Sequence, residues 1–83
     1  MQIYLTRRAR KDLDRLPSKL GLKLQSEIAK LAINSFPPNY KKLQGEDNIY
    51  RIRVGDYRIV YEIEKITQQI VVAKIKHRKD VYR

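Results

Sequence analysis

The sequence predicts an α+β domain of element order β-α-α-β-β-β, an antiparallel sheet with an N-terminal helical hairpin packed on one face. Three observations predict it. Apolar residues recur at helical spacing early in the chain, first at Ala9, Leu13 and Leu16, then at Leu20, Leu24, Ile28 and Leu31. The spacing falls to two from Tyr50 onward. Between two of the alternating runs lies Gly55-Asp56, a two-residue loop of hairpin type.

Each element has a local cause. Gln2-Ile3-Tyr4-Leu5 reads as a short strand, and Thr6 can cap the helix that follows. Pro17 ends that helix, and Ser18 can cap a second. The second stops at Asn34-Ser35-Phe36-Pro37-Pro38, because neither proline has an N–H to donate and each disfavours helix before it. The two helices share an apolar face and turn a basic one outward, with Arg7, Arg8, Lys11 and Arg15 among its residues. A loop through Tyr40-Lys41-Lys42-Leu43-Gln44-Gly45 leads to the strands. Tyr50, Ile52 and Val54 alternate with Arg51 and Arg53; Tyr57, Ile59, Tyr61 and Ile63 alternate with Arg58, Val60 and Glu62. A third run, Ile70 to Lys76, is β-branched and apolar before it turns basic, and residues 77–83 form a short polar tail. No linker or repeat divides residues 1–83, so one domain is expected.

Composition narrows the function. Without cysteine, neither disulfides nor thiolate metal sites can support the core, and a cytoplasmic address is the simplest expectation. The N-terminal apolar run is too short for a secretory leader or a membrane helix, so no membrane partner is expected. Nineteen Lys and Arg against nine Asp and Glu leave a formal charge of +10 on 83 residues. Self-repulsion on that scale is hard to explain unless the chain meets a polyanion. Nucleic acid, an acidic protein and an anionic membrane surface all qualify, nucleic acid being favoured; a merely solvated basic surface is the alternative.

The hairpin sharpens the argument. A two-residue loop sets Val54 opposite Tyr57, Arg53 opposite Arg58, Ile52 opposite Ile59 and Arg51 opposite Val60. The apolar set then lies on the helix-covered side, and Arg51, Arg53 and Arg58 share the other. Like charges directly across two strands destabilise a sheet, so this trio reads as an anion site more readily than as a solvated face. Guanidinium groups suit phosphate oxygens. Lys74 and Lys76 join that face if Val71, Ala73 and Ile75 point to the core. Lys41 and Lys42, in the preceding loop, are further candidates for RNA binding.

The chemistry available is limited. His77 is the only histidine, which excludes a histidine-based metal site, and no acidic pair stands at ligand spacing; no metal and no cofactor are expected. The serines have no neighbouring base, and there is no glycine-rich phosphate loop. RNA asks for fewer parts, since it carries its own nucleophile: a base takes the 2′-OH proton, the oxygen attacks the adjacent phosphorus, an acid protonates the leaving 5′-oxygen, and cations stabilise the extra charge. His77 or a tyrosine can move protons, although parity with Ile75 turns His77 inward. A penultimate aromatic such as Tyr82 can stack a base.

Three stretches, Lys42-Leu43-Gln44-Gly45, Tyr50 through Ile63, and His77-Arg78-Lys79-Asp80-Val81-Tyr82, together resemble the RelE/ParE toxin superfamily, and the terminal His-Arg-x-x-Val-Tyr resembles its RelE-type mRNA interferase branch. The resemblance implies a RelE-like fold and the toxin of a type II toxin–antitoxin pair. Such a toxin enters the ribosomal A site, cleaves mRNA there without metal, and is held inactive by a cognate antitoxin. It carries the family's basic hairpin positions onto Arg51, Arg53 and Arg58, and its C-terminal basic and tyrosine positions onto Arg78 and Tyr82. Some relatives have lysine at the first two positions. Because arginine stays protonated, Arg51 and Arg53 are better phosphate binders than proton acceptors, and the general base is left open. Two other functions compete: a ParE-type toxin that poisons DNA gyrase without nuclease activity, and a nucleic-acid- or antitoxin-binding protein with no activity.

Overall fold

The computed structural model describes residues 1–43, 45 and 47–79. Its elements are β1 (Gln2–Leu5), α1 (Arg7–Asp14), α2 (Ser18–Lys30), β2 (Lys41–Lys42), β3 (Ile49–Val54), β4 (Tyr57–Glu64) and β5 (Gln69–His77). They form one five-stranded sheet in the order β1-β5-β4-β3-β2.

The order of helices and long strands is as expected, but the sheet is mixed. Strand β1 runs parallel to β5 along one edge, while β2, in a segment expected to be loop, pairs antiparallel with β3 at the other. The parallel direction follows from what β1 must deliver. Only that direction brings Thr6 to the Val72–Ala73 end of β5, where its N–H donates to the Val72 carbonyl (3.0 Å) and its hydroxyl to that of Ala73 (2.7 Å).

Thr6 caps α1 as expected, its Oγ1 accepting from Ala9 N–H at 3.1 Å. Ser18 does not cap α2: it is the first helical residue, Pro17 holds the cap position, and no side chain accepts a bond there. Proline is tolerated at that boundary because the N–H it lacks would have had no intrahelical partner. Ala9 and Leu13 from α1, with Leu24, Ile28 and Leu31 from and just beyond α2, are buried against Tyr50, Ile52, Val54, Ile59, Tyr61 and Ile63 of the sheet.

The hairpin register is the expected one, with Arg53 opposite Arg58 and Arg51 opposite Val60. Gly55 sits at φ +61° and Asp56 does not share the positive φ, the pattern of a type II′ turn, which requires a residue without Cβ strain at its first position.

Strand β5 departs from simple alternation. Val60 pairs with Lys74 but Tyr61 pairs with Val72, so Ala73 is an extra residue in a β-bulge. The expected inward set of Val71, Ala73 and Ile75 is therefore corrected: Ile70, Val72 and Ile75 are the buried ones. The bulge flips parity between Val72 and Lys74, which still turns Lys74 and Lys76 away from the core.

Tyr61 is fully buried and donates to the Ser35 carbonyl at 2.7 Å, tying the segment after α2 to the sheet. Its phenol is pushed up to about 12, by burial first and then by Tyr50 and Tyr40. The folded state thus holds the proton more tightly than the unfolded chain, whose tyrosine titrates near 10.0. The stabilisation is complete below pH ~10 and is lost as pH rises toward ~12, on the order of 2–3 kcal/mol if Tyr61 acts alone. Tyr61→Phe is expected to flatten that alkaline limb in urea unfolding measured from pH 9 to 12, while costing about 1–2 kcal/mol at neutral pH through the orphaned Ser35 carbonyl.

Candidate nucleic-acid interface

The sheet face opposite the helices carries two cationic rows. One runs Lys41, Arg51, Val60, Lys74 across β2, β3, β4 and β5; the other runs Arg53, Arg58, Lys76 across β3, β4 and β5. Each neighbour is a direct cross-strand partner, so the side chains of a row start about 5 Å apart. Val60, buried between Arg51 and Lys74, is the apolar floor of the first row. Among the described residues no ion pair reaches any of these cations.

The electrostatics bear the marks of crowding. Arg51 is only 8% exposed although it faces away from the helices. Its guanidinium is held below its ordinary value by burial first, then by Arg53 and Arg58. The Lys74 ammonium is also held low, by burial, then by Lys76 and by Arg8 of α1. A folded sheet thus disfavours the very charges it gathers there, and a bound polyanion would reverse that.

The other expected site residues divide. Lys42 pairs with Tyr50 and so belongs to the opposite face from Lys41, at the same edge. His77 pairs with Tyr57, its ring edge-on at 5.0 Å, and its Nδ1 accepts from the Lys79 N–H at 3.2 Å; it lies on the helix side of β5, away from the cationic rows. Arg78 follows β5 beside the hairpin loop: its N–H donates to the Asp56 carbonyl at 2.7 Å, and its Nη1 lies 3.9 Å from Asp56 Oδ1. That ion pair is largely solvated and contributes little. Tyr82 lies outside the described residues, as do Asp80 and Val81. Among the described residues no group of three or more His, Cys, Asp or Glu could hold a metal ion. No helix among them is long and apolar enough to cross a membrane.

Sequence reasoning missed Arg8, grouping it with the outer helical cations, whereas the fold brings its charge to bear on Lys74. No local signal could have found it: residues 70–73 are all apolar, and the bulge that opens this edge of β5 is set by pairing across the sheet.

Comparison with known proteins agrees with this architecture. Residues 3–82 match the family model described as the ParE toxin of type II toxin–antitoxin system, parDE. A curated relative named Toxin RelE3, from Methanocaldococcus jannaschii, is 31% identical over 86 residues, covering 99% of this chain and 96% of its own. The RelE-RelB complex from Pyrococcus horikoshii contains a chain of similar fold, with TM-score 0.82 and 26% identity over 93% of both chains. The RelB-RelE antitoxin-toxin complex from Methanococcus jannaschii contains another, with TM-score 0.77 and 28% identity over 95% of this chain and 94% of that one. With a family match across nearly its whole length and RelE toxins among its relatives, this chain belongs to the ParE toxin family of type II toxin–antitoxin systems, on the RelE-type branch of the RelE/ParE superfamily.

Proposed function

We propose that this toxin is a cytoplasmic, ribosome-dependent and metal-independent mRNA endoribonuclease, held inactive by a cognate antitoxin. The observation that carries the reading is the double row of cations, with Arg58 between Arg53 and Lys76 and none of the three ion-paired among the described residues. Arg53, Arg58 and Lys76 would hold the scissile phosphodiester and stabilise the charge that builds on it; Arg51 stands behind them. Arginine cannot accept the 2′-OH proton, whereas Lys74, whose ammonium is already destabilised by burial, Lys76 and Arg8, is a group on this face suited to take it. The 2′-oxygen then bonds to phosphorus, the bond from phosphorus to the 5′-oxygen breaks, and that oxygen takes a proton. Arg78, beside the hairpin loop, would act on the leaving side, and Tyr82 would act on a base. His77, on the other face, would serve by fixing the end of β5. Lys41, at the far edge of the cationic face, would meet a flanking phosphate, whereas Lys42 faces the other side. The relatives solved with RelB support an antitoxin partner; the family resemblance of the hairpin and tail supports the ribosomal A site and mRNA as targets.

The ParE description of the matching family model favours a second reading, a gyrase poison without nuclease activity. Induced cells separate the two. Primer extension should show cuts in translated but not untranslated mRNA, and Arg78→Ala should relieve growth arrest while the protein still accumulates. Intact mRNA with DNA breaks and filamentation would instead support the gyrase reading.

A further inference from the structure

Helix α1 touches the cationic face in a way that catalysis by arginines and lysines does not explain. Strand β1 accompanies β5 only as far as the Leu5–Val72 pair. Beyond it the edge of β5 loses its strand neighbour at the bulge. Two side chains separated from β5 by more than sixty residues take over: Thr6 Oγ1 donates to the Ala73 carbonyl at 2.7 Å, and Asp12 Oδ2 accepts from the Ile75 N–H at 2.9 Å. Both bonds are partly buried. They bracket Lys74, one on each side in sequence. Asp12 Oδ2 also lies 4.0 Å from Arg8 Nε, and Arg8 is one of the charges acting on Lys74.

We infer that Thr6 and Asp12 are positioning residues: by clamping the backbone on either side of Lys74 they hold the bulged register and aim Lys74 at the RNA. The inference rests on the RNA-cleaving reading above and adds to it the means by which the first helix sets the site. An acidic residue at the rim of a phosphate-binding face would weaken RNA binding by charge alone. Its presence there makes sense if its backbone bond is worth more to the site than its charge costs.

That opposition gives the test. Binding of a 2′-O-methylated single-stranded RNA, which cannot be cut, is measured by fluorescence anisotropy at fixed salt, with native circular dichroism checked for each variant. Asp12→Asn removes the charge and keeps an acceptor, so it should bind as tightly as the unaltered protein or tighter. Asp12→Ala removes both and should bind about three- to tenfold more weakly, the scale of one hydrogen bond. Thr6→Val, which changes no charge, should weaken binding in the same direction and provides a second route if Asp12→Ala does not fold. In a Lys74→Gln background, Asp12→Ala should add little, because the residue it positions is gone. Asp12→Ala binding as tightly as Asp12→Asn would overturn the positioning role, as would a loss undiminished in the Lys74→Gln background. An unaltered protein that shows no salt-sensitive binding of this RNA would overturn the inference that the clamp aims Lys74 at RNA, whereas uncut mRNA in translating extracts would overturn the RNA-cleaving reading on which it rests.

Discussion

Arg58→Ala is expected to lower mRNA cleavage by about 10²–10³-fold, the usual loss when one preorganised charge-stabilising group is removed from a transition state, while the folded protein becomes no less stable. The two halves of that expectation come from the same geometry. Arg58 is the middle member of its row, directly opposite Arg53 on β3 and Lys76 on β5. It is therefore the cation best placed to share a phosphate with both neighbours. For the same reason it has a cation directly across on both sides, an arrangement that disfavours the folded sheet to a degree that water and salt reduce. Removing it deletes a repulsive partner and leaves the core untouched, since the apolar residues on the helix side of β4 stay in place. Cleavage measured in a purified translation mixture, beside thermal unfolding of the same preparation, checks both. Full activity in Arg58→Ala would break the assignment of the cationic rows to the scissile phosphate. A large fall in melting temperature would show that Arg58 is structural.

The complementary expectation concerns the other face of the same strand. Ile59, one residue further on, has no exposed surface and sits between Ile52 and Ile75, its partners on the neighbouring strands. Ile59→Ala should cost about 2–5 kcal/mol, through lost transfer energy and the cavity left behind. A domain of 83 residues has only about 4–12 kcal/mol to lose. The variant should therefore unfold at much lower urea and lose toxicity by depletion of folded protein, with the activity of each remaining folded molecule unchanged. Urea unfolding followed by circular dichroism gives the energy, and activity normalised to folded protein gives the rest. A cost below about 1 kcal/mol would mean that this centre of the sheet is not tightly packed. Adjacent residues 58 and 59 thus separate function from stability on the two faces of one strand.

That separation is legible from the chain itself. Alternation of Tyr50, Ile52 and Val54 with Arg51 and Arg53, together with Gly55-Asp56, determines the hairpin's register and puts the arginines on one face, because a period-two strand with one buried side admits no other arrangement. The helices follow equally from Ala9 and Leu13 and from Leu24, Ile28 and Leu31, whose spacing draws a single apolar stripe on each. Local chemistry also accounts for Thr6 as a cap.

Long-range pairing belongs to the tertiary structure. That β1 lies parallel to β5 and that Lys41 meets Arg51 depend on contacts between distant segments, which no local preference encodes. The bulge at Ala73 is the sharpest instance: strict alternation assigns Val71 to the core, but the packed sheet takes Ile70, Val72 and Ile75. Thr6 and Asp12 then bond to the carbonyl and N–H flanking Lys74, something only the placement of α1 along that edge allows. The chain alone therefore determined which residues form each face of the hairpin, since burial of one side is enforced residue by residue. Where those faces meet α1, and so how Lys74 and Arg8 come together, was decided by tertiary packing, because a broken edge must find hydrogen-bond partners wherever the fold supplies them.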